Sequence, residues 1–346
     1  MPTITIEPID IRQADETTYA ALNDHRNRFR QERDAQLPPI PLAEAIGDWH
    51  NTPAFVLMNH WVVWDSEHKT IAAAADAMRF PANAENPHLL QFMITVDPPY
   101  RRQGIGTALL RHIVALAQAE NRSLLVSGSF SGIPAAASFL YRLGAKPALE
   151  TTINQLDLDH LDKSLVQKWQ AIGEKVGQRY DLSFWDGRYP EEDLNGLAHL
   201  YEVMNQAPRG AIESEDIHIT PERLRQIEAT ELSGGTERWT VYVRERQTGE
   251  LVGFSETFWR PFNPTMLLQG NSGVQPAHRG QGLGKWMKAM MLARVMRERP
   301  QVNYVRTGNA NTNAPMLAIN HALGFRPHLS QTVWQMDLAK LIPQIS

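Results

Sequence analysis

The sequence contains two copies of one pattern, and this internal repeat constrains the fold more than any other feature. Nine residues of the first copy recur 178 positions later, so that position 89 corresponds to position 267. They are Leu89, Leu90, Gln91, Val96, Pro98, Arg101, Gln103, Gly104 and Gly106. Seven more residues between Leu143 and Leu161 recur with a spacing of 180, from 143 to 323. So constant a spacing indicates duplication of a unit of about 160 to 180 residues.

The repeat divides the chain into two domains, which a length of 346 residues also favours. We predict an N-terminal domain over residues 1–161 and a C-terminal domain over residues 179–346. The residues between them, 162–178, are polar with a weak helical pattern. They predict a linker helix.

The composition narrows the possible partners and chemistry. A net charge of -4 and a pI near 6.3 give no overall field that attracts nucleic acid or an anionic membrane. No segment approaches the roughly 20 apolar residues of a membrane span, and residues 1–10 do not resemble a signal peptide. We therefore expect a cytoplasmic monomer or homodimer with no nucleic-acid or membrane partner.

The inventory of reactive side chains excludes several mechanisms. The chain has no cysteine, which rules out disulfides, cysteine-ligated metal sites and a cysteine nucleophile. The histidines show no metal-ligand spacing, so we predict no metal site.

Each copy contains a strand, a glycine loop and a helix in succession. In the first copy, Leu89–Val96 predicts a strand and Gln103–Glu120 an amphipathic helix, and Thr151–Leu158 predicts a strand that closes the sheet. In the second copy, Met266–Val274 and Gly284–Arg299 predict the same strand and helix. Strand and helix thus flank the glycine loop in both copies.

The two glycine loops, Arg101–Thr107 and Arg279–Lys285, suit an anionic ligand. Their glycines permit unusual backbone geometry and close approach, and the N–H groups at a helix start attract phosphate. The spacing fits neither a P-loop nor a dinucleotide-binding fingerprint. By itself, however, so short a pattern is also typical of an ordinary helix-entry turn.

The surrounding residues resemble a known family. Val96–Leu110 resembles motif A of the GCN5-related N-acetyltransferases (GNAT), and Val274–Gly284 is similar. The resemblance extends over essentially the whole chain, in a tandem arrangement like that of mycothiol synthase. It implies an α/β fold, of the α+β mixed-sheet kind, with two tandem acyl-CoA N-acyltransferase domains. Each would have a mostly antiparallel central sheet, with a splayed central strand pair, flanked by helices.

The resemblance also implies which residues hold acetyl-CoA, the co-substrate. The strand ends would pair with the pantetheine arm, and the loops would wrap the pyrophosphate. In the first half these residues are Val96, Arg101, Arg102, Gln103, Gly104, Ile105, Gly106 and Thr107. In the second half they are Val274, Arg279, Gly280, Gln281, Gly282, Leu283, Gly284 and Lys285. A backbone amide at the splay would stabilise the oxyanion as an amine attacks.

Family members commonly carry a tyrosine on the last helix, four residues before the glycine of a Leu-Gly pair, as the acid for the departing thiolate. Here that position is Asn320 in the second half and Leu140 in the first, with Tyr141 next to it. Tyr141 is a candidate acid if the helix end is shifted by one residue. A packed aromatic side chain is the alternative interpretation.

An asparagine-rich turn distinguishes the second half. Asn309 and Asn313 resemble the turn from which family members hydrogen-bond the CoA arm, although asparagine is also common in turns and helix caps. This turn favours the second half as a working site. Glu256, on the strand before the central one, is the candidate general base, with a solvated strand residue as the alternative.

Together these features predict an acetyl-CoA-dependent N-acetyltransferase that transfers the acetyl group directly to a primary amine of a small molecule. Two alternatives stay open. One is a non-catalytic acyl-CoA-binding or sensor protein, which the missing tyrosine at Asn320 favours. The other is an N-acetyltransferase that acts on proteins or peptides.

Overall fold

The structure is a computed structural model that describes residues 5–65, 67, 69–82 and 84–345. Its strands are β1 (Ile6–Ile9), β2 (Leu57–Asp65), β3 (Thr70–Arg79), β4 (Leu89–Val96), β5 (Leu124–Phe130), β6 (Lys146–Asp157), β7 (Tyr180–Asp186), β8 (Glu237–Glu245), β9 (Leu251–Trp259), β10 (Met266–Val274), β11 (Tyr304–Ala310) and β12 (Arg326–Asp337). Its helices are α1 (Glu16–Arg33), α2 (Leu42–His50), α3 (Ile105–Ala119), α4 (Pro134–Arg142), α5 (Lys163–Gln170), α6 (Ile172–Val176), α7 (Leu194–Tyr201), α8 (Pro221–Glu231), α9 (Leu283–Glu298), α10 (Ala314–Leu323) and α11 (Leu338–Ile345). The predicted strand, loop and helix occur in both halves.

The chain forms two compact units, each assembled from separate segments. Unit 1 contains residues 1–150, 209–215 and 329–346, and unit 2 contains residues 151–208 and 216–328. These units follow spatial contacts, whereas the predicted domains of residues 1–161 and 179–346 follow the sequence repeat. The domain boundaries therefore stay a prediction.

The sheet of unit 1 is mixed, as the resemblance implied. Strands β1 to β4 pair with their chain neighbours in antiparallel fashion, and β4 pairs with β5 in parallel. Residues Gln331–Asp337 of β12 pair antiparallel with β5. Helix α3 packs on one face through Leu109, Leu110 and Ile113, which are fully buried. The predicted fold class is confirmed.

The sheet of unit 2 has the same order of pairings. Strands β7 to β10 are antiparallel neighbours, β10 pairs with β11 in parallel, and Thr151–Asp157 of β6 pairs antiparallel with β11. A bulge interrupts β10 between Gln269 and Ser272. Such a bulge bends the strand and re-aims its side chains.

The prediction that Thr151–Leu158 closes the sheet of the first copy is wrong. That strand lies in unit 2, and its counterpart Gln331–Asp337 lies in unit 1. The two closing strands share Gln, Asp and Leu at equivalent positions (155, 157 and 158; 335, 337 and 338). Alternation fixes which face of a strand is buried, but it does not choose between two equivalent sheet edges.

The predicted linker residues, 162–178, contain α5 and α6, and both helices pack against α9 within unit 2. Val166 and Trp169 are buried in the core of that unit. Asp162 caps α5 by accepting from the N–H groups of Ser164 and Leu165. In the described part of the chain, no helix is both long and apolar enough to cross a membrane.

Candidate functional site

In unit 1 the central strands β4 and β5 separate toward the glycine loop. Among the described residues their parallel register ends at Phe92 and Ser127. The N–H group of Asp97 donates to the Ala72 carbonyl of β3 at 2.9 Å. Because successive strand residues point their N–H groups to opposite edges, those of Ile94 and Val96 face the open edge. The gap can therefore donate hydrogen bonds to an extended ligand.

A cavity of about 460 Å³ occupies this gap. Its wall contains the end of β4, the glycine loop, the first turn of α3 and one side of α4, together with Phe29 of α1. At Gly106 an added Cβ would lie 3.6 Å from Phe139 and 4.0 Å from Val96. A larger side chain at Gly106 would therefore fill the cleft where α3 begins.

The loop of unit 1 presents helix-start N–H groups to the cavity. Gly104 is the N-cap of α3 with φ of 85°, and an added Cβ there would meet nothing within 4 Å. Arg101 donates from Nε to the Val96 carbonyl at 2.8 Å and from Nη1 to Glu32 at 2.7 Å. Arg102 is exposed, with φ of 63°. The loop can therefore bind a phosphate through its N–H groups, with Arg102 as the accessible cation.

The loop of unit 2 has the same backbone but different surroundings. Gly280 and Gly282 have φ of 79° and 83°. Carbon atoms of Ile172 on α6 lie 3.3 Å from where a Cβ of Gly282 would stand. The Lys285 ammonium lies 5.5 Å from the ring centroid of Trp169. The segment that contains α5 and α6 therefore lies against this loop, whereas the space around Gly104 is open.

Arg279, the counterpart of Arg101, donates to the Val274 carbonyl at 3.0 Å and to Gln206 at 2.8 Å. The arginine that begins each loop thus fastens the loop to the end of the central strand. In both units this contact holds the start of the loop in place.

The candidate acids have different environments. Tyr141 is 76% exposed and is not among the residues that line the cavity. Asn320 is fully buried and donates to Asn309 at 2.8 Å. Asn313 caps α10 by accepting from the N–H group of Met316 at 3.4 Å. The asparagines thus also perform the turn and cap roles that are common for this residue, and their contact with CoA stays a prediction.

Glu256 is fully buried, so the interpretation as a solvated strand residue is wrong. Its carboxylate accepts hydrogen bonds from the hydroxyls of Tyr189 and Tyr201. Burial raises the pKa of Glu256, against the opposing effect of these hydrogen bonds and of Arg238. The role of Glu256 as a general base stays a prediction.

Further buried charges lie beside Glu256. Arg238 donates to Glu228 at 2.6 Å and to Glu231 at 3.0 Å, and its guanidinium lies over the ring of Tyr189. Burial, followed by the negative charge of Glu256, raises the pKa of Glu231 to about 7. The carboxylates of Glu228, Glu231 and Glu256 thus lie close to the buried Arg238.

Sequence reasoning missed one group of polar residues at the cavity of unit 1. Thr95 lines the cavity, and its hydroxyl lies 2.7 Å from Nε2 of His25 on α1. Nδ1 of His25 lies 3.1 Å from Asp97, which also accepts from Arg28 at 2.8 Å. Burial alone would raise the pKa of Asp97, but His25 and Arg28 outweigh it and lower that pKa. In the sequence, only the position of Asp97 directly after the predicted strand Leu89–Val96 pointed to this group of residues.

No group of three or more metal-binding side chains occurs among the residues that the structure describes.

Comparison with known proteins agrees with this geometry. The family described as acetyltransferase (GNAT) domain matches residues 58–144. A sequence comparison with the curated proteins found no match.

Among solved structures, the chain is similar to a tandem GNAT protein from the clavulanic acid biosynthesis pathway. The two are 25% identical with a TM-score of 0.77, and the match covers 97% of this chain and 98% of that one. A GCN5-related N-acetyltransferase from Sphaerobacter thermophilus is 15% identical, covers 96% of each chain and has a TM-score of 0.62. A glucosamine N-acetyltransferase region of a fungal multi-domain β-N-acetylglucosaminidase is 14% identical with a TM-score of 0.63, over 97% of this chain and 38% of that one. The last two similarities concern the fold alone.

The repeated glycine loop, the splayed central strands and the match of both halves to a tandem relative lead to one assignment. The chain contains a GNAT acetyltransferase domain over residues 58–144 and is similar over almost its whole length to a tandem GNAT protein, and these two findings mark it as an acetyltransferase.

Proposed function

We propose that the protein transfers an acetyl group from acetyl-CoA directly to a primary amine of a small molecule, and that unit 1 holds the donor. The observation that carries this proposal is the cavity of about 460 Å³ between the end of β4, the loop Arg101–Thr107 and α4. Ligand pockets of this size are typical of small-molecule sites. The cavity lies where the glycine loop and the open strand edge converge.

Different residues of the cleft bind different parts of acetyl-CoA. The loop N–H groups and Arg102 bind the pyrophosphate, and the N–H groups of Ile94 and Val96 pair with the pantetheine arm. A backbone donor at the open edge stabilises the oxyanion that forms as the amine attacks, a contribution of about 2.7 to 4 kcal/mol. The open space at Gly104 supports this arrangement.

In this proposal the loop of unit 2 has a supporting role. Ile172 lies against Gly282, and Lys285 faces Trp169 instead of open space. We therefore place the working cleft in unit 1, in preference to the second half that the asparagine turn favoured. Glu256 and Asn320 then belong to the core of unit 2, and Tyr141 stays a candidate acid at the margin of α4.

A small acceptor is supported by the tandem relative, which takes part in a biosynthetic pathway for a small molecule. We further propose that the protein acts in the cytoplasm as a monomer or homodimer. A sensor role would give acyl-CoA binding without turnover, and a peptide acceptor would give turnover only with peptides.

Calorimetric titration with acetyl-CoA tests the donor site. We expect one molecule bound per chain, and we expect Gly106→Val to abolish binding because its branched side chain meets Phe139 and Val96. Gly284→Val, at the equivalent position of unit 2, is the matched control and should bind normally. Loss of binding in Gly284→Val alone would contradict the assignment to unit 1.

Release of CoA thiol with a panel of primary amines tests the reaction. Since the chain has no cysteine, every thiol detected belongs to CoA. Turnover with small amines supports the proposal. Turnover with N-terminal peptides alone would favour the peptide acceptor, and binding without any turnover would favour the sensor.

A further inference from the structure

Three side chains form a continuous run of polar contacts from the cavity of unit 1 into its buried interior. Thr95 presents its hydroxyl in the cavity wall, 2.7 Å from Nε2 of His25. His25 is 3% exposed, and its Nδ1 lies 3.1 Å from the carboxylate of Asp97. His25 therefore reaches the cavity only through the threonine hydroxyl.

The charges around His25 determine which ring nitrogen carries the proton. Asp97 remains an ionised carboxylate, since His25 and Arg28 lower its pKa despite burial. The negative charge of a carboxylate 3.1 Å from Nδ1 favours the tautomer of a neutral imidazole that carries its proton on Nδ1. Nε2 is then a free acceptor that faces the Thr95 hydroxyl. The alternative acceptor for that hydroxyl, the Ala74 carbonyl, is farther away at 3.4 Å.

We propose that Thr95 and His25 are the proton path of the acetyl transfer, with Asp97 as the positioning residue that orients the imidazole. This inference rests on the proposed function, because it needs acetyl-CoA and an amine in the cavity of unit 1. The arrangement follows the general pattern of a hydroxyl, a base within hydrogen-bond reach and a third group that orients the base.

The transfer balances without a covalent enzyme intermediate. The bound ammonium gives one proton to the Thr95 oxygen while the Thr95 hydroxyl proton moves to Nε2 of His25. The resulting amine attacks the thioester carbon, a C–N bond forms, and the C–S bond breaks as the tetrahedral intermediate collapses. The proton on His25 returns through Thr95 to the CoA thiolate, and the second proton of the former ammonium leaves to solvent. The products are the amide, CoA thiol and one proton.

Several charged groups surround this path. Asp97 and Arg28 contact it directly, and the Tyr100 hydroxyl donates to Asp65 close to Asp97. The ion pair of Arg101 with Glu32 lies at the loop beside the cavity.

The test compares thiol release by wild type, Thr95→Val, Thr95→Ser and His25→Asn, with acetyl-CoA and the best primary amine of the panel. General acid–base catalysis contributes about 10²- to 10⁴-fold. We expect Thr95→Val to lower kcat by about 10²-fold with the KM for acetyl-CoA within about threefold, and Thr95→Ser to recover most of the loss. His25→Asn should lower kcat by a similar factor, with the KM for acetyl-CoA again within about threefold.

His60→Asn is the matched control. His60 pairs with Asp76 at 2.6 Å in the same unit and does not line the cavity. It should retain the wild-type kcat, whereas a merely structural role of His25 would change stability without changing kcat in the folded variant. Thermal unfolding and acetyl-CoA affinity establish that each variant is folded.

Two results would overturn the proton path. One is a folded Thr95→Val and a folded His25→Asn that both keep wild-type kcat, while the wild type turns over normally. The other is a wild type that binds acetyl-CoA but releases no thiol with any amine. The second result removes the proposed function together with the path, and the first leaves the function intact.

Discussion

Arg102 and Gly280 occupy equivalent loop positions in the two units, and both have left-handed backbone, with φ of 63° and 79°. Glycine adopts this conformation without strain, whereas an arginine there costs about 1 kcal/mol or more. Strained residues of this kind concentrate at functional sites. Arg102 of unit 1 therefore carries a backbone strain that Gly280 of unit 2 does not.

Two replacements of Arg102 distinguish the effect of its backbone strain on stability from the effect of its positive charge on binding. We expect Arg102→Gly and Arg102→Ala to weaken acetyl-CoA binding alike, because both remove the accessible cation of the loop, and to reduce its dependence on salt. We expect Arg102→Gly to be the more stable of the two by about 1 kcal/mol, because only alanine keeps the strain. Calorimetry and chemical denaturation measure the two effects. Wild-type affinity in both variants would show that Arg102 does not bind phosphate.

Lys288 is a buried cation on α9, at the position that the fully buried Leu110 occupies in unit 1. Burial lowers its pKa to about 8, from 10.5. The cost of burying the ammonium is present below about pH 8, and the wild type regains stability as the pH rises toward 10.5. Lys288→Met should therefore raise the free energy of unfolding at pH 7 by up to about 3 kcal/mol, with the gain shrinking above pH 8.

Urea denaturation at several pH values measures this gain. Lys340→Met, at an exposed position of α11, is the control and should change little. A gain that does not depend on pH would mean that improved packing, and not the removed charge, stabilises the variant.

Glu231 predicts the opposite pH dependence of stability. Its pKa is raised from 4.5 to about 7, so between these values the folded state keeps a proton that the unfolded state has lost. The wild type should therefore lose stability as the pH rises from about 4.5 to 7, by at most about 3 kcal/mol from this group, and stay level above that range. Glu231→Gln should lack this part of the slope. The difference between the denaturation series of the wild type and of Glu231→Gln isolates the contribution of Glu231 to the slope.

The exposed Glu222, on the same helix, supplies the comparison for that experiment. Glu222→Gln should keep the wild-type slope. If Glu231→Gln keeps it as well, the pH dependence comes from another buried carboxylate.

The contact between α6 and α9 predicts that a side chain added at Gly173 destabilises the folded state. An added Cβ would lie 2.8 to 3.0 Å from atoms of the Trp286 ring, which is itself buried. Gly173→Ala should lower the free energy of unfolding by about 1 to 3 kcal/mol, because the helix and the ring must move apart. Gly308→Ala, where nothing lies within 4 Å, should be nearly neutral. Equal stability of the two variants would contradict the packing of α6 on α9.

The elements that periodicity and glycine loops specify were predictable from the sequence. Strand β4 runs from Leu89 to Val96 as predicted, and the loop and the helix that follow it take the predicted form. Local pattern is sufficient there, because each residue's role depends on its chain neighbours.

Contacts between distant residues were not predictable. His25 and Thr95 are 70 positions apart, and the approach of Ile172 to Gly282 depends on how α6 packs. The burial of Glu256 likewise comes from Tyr189 and Tyr201, which lie on separate elements. Such contacts arise from packing in three dimensions, which periodicity does not encode.

The placement of the closing strands determines when each unit can be completed during synthesis. Unit 1 needs Gln331–Asp337, which are made after strands β7 to β11 of unit 2. Unit 2 uses Thr151–Asp157, which are made before the rest of its sheet. The first repeat therefore keeps one edge of its central sheet unpaired until the strands of the second repeat have been synthesised, so its completion depends on the synthesis of the second repeat.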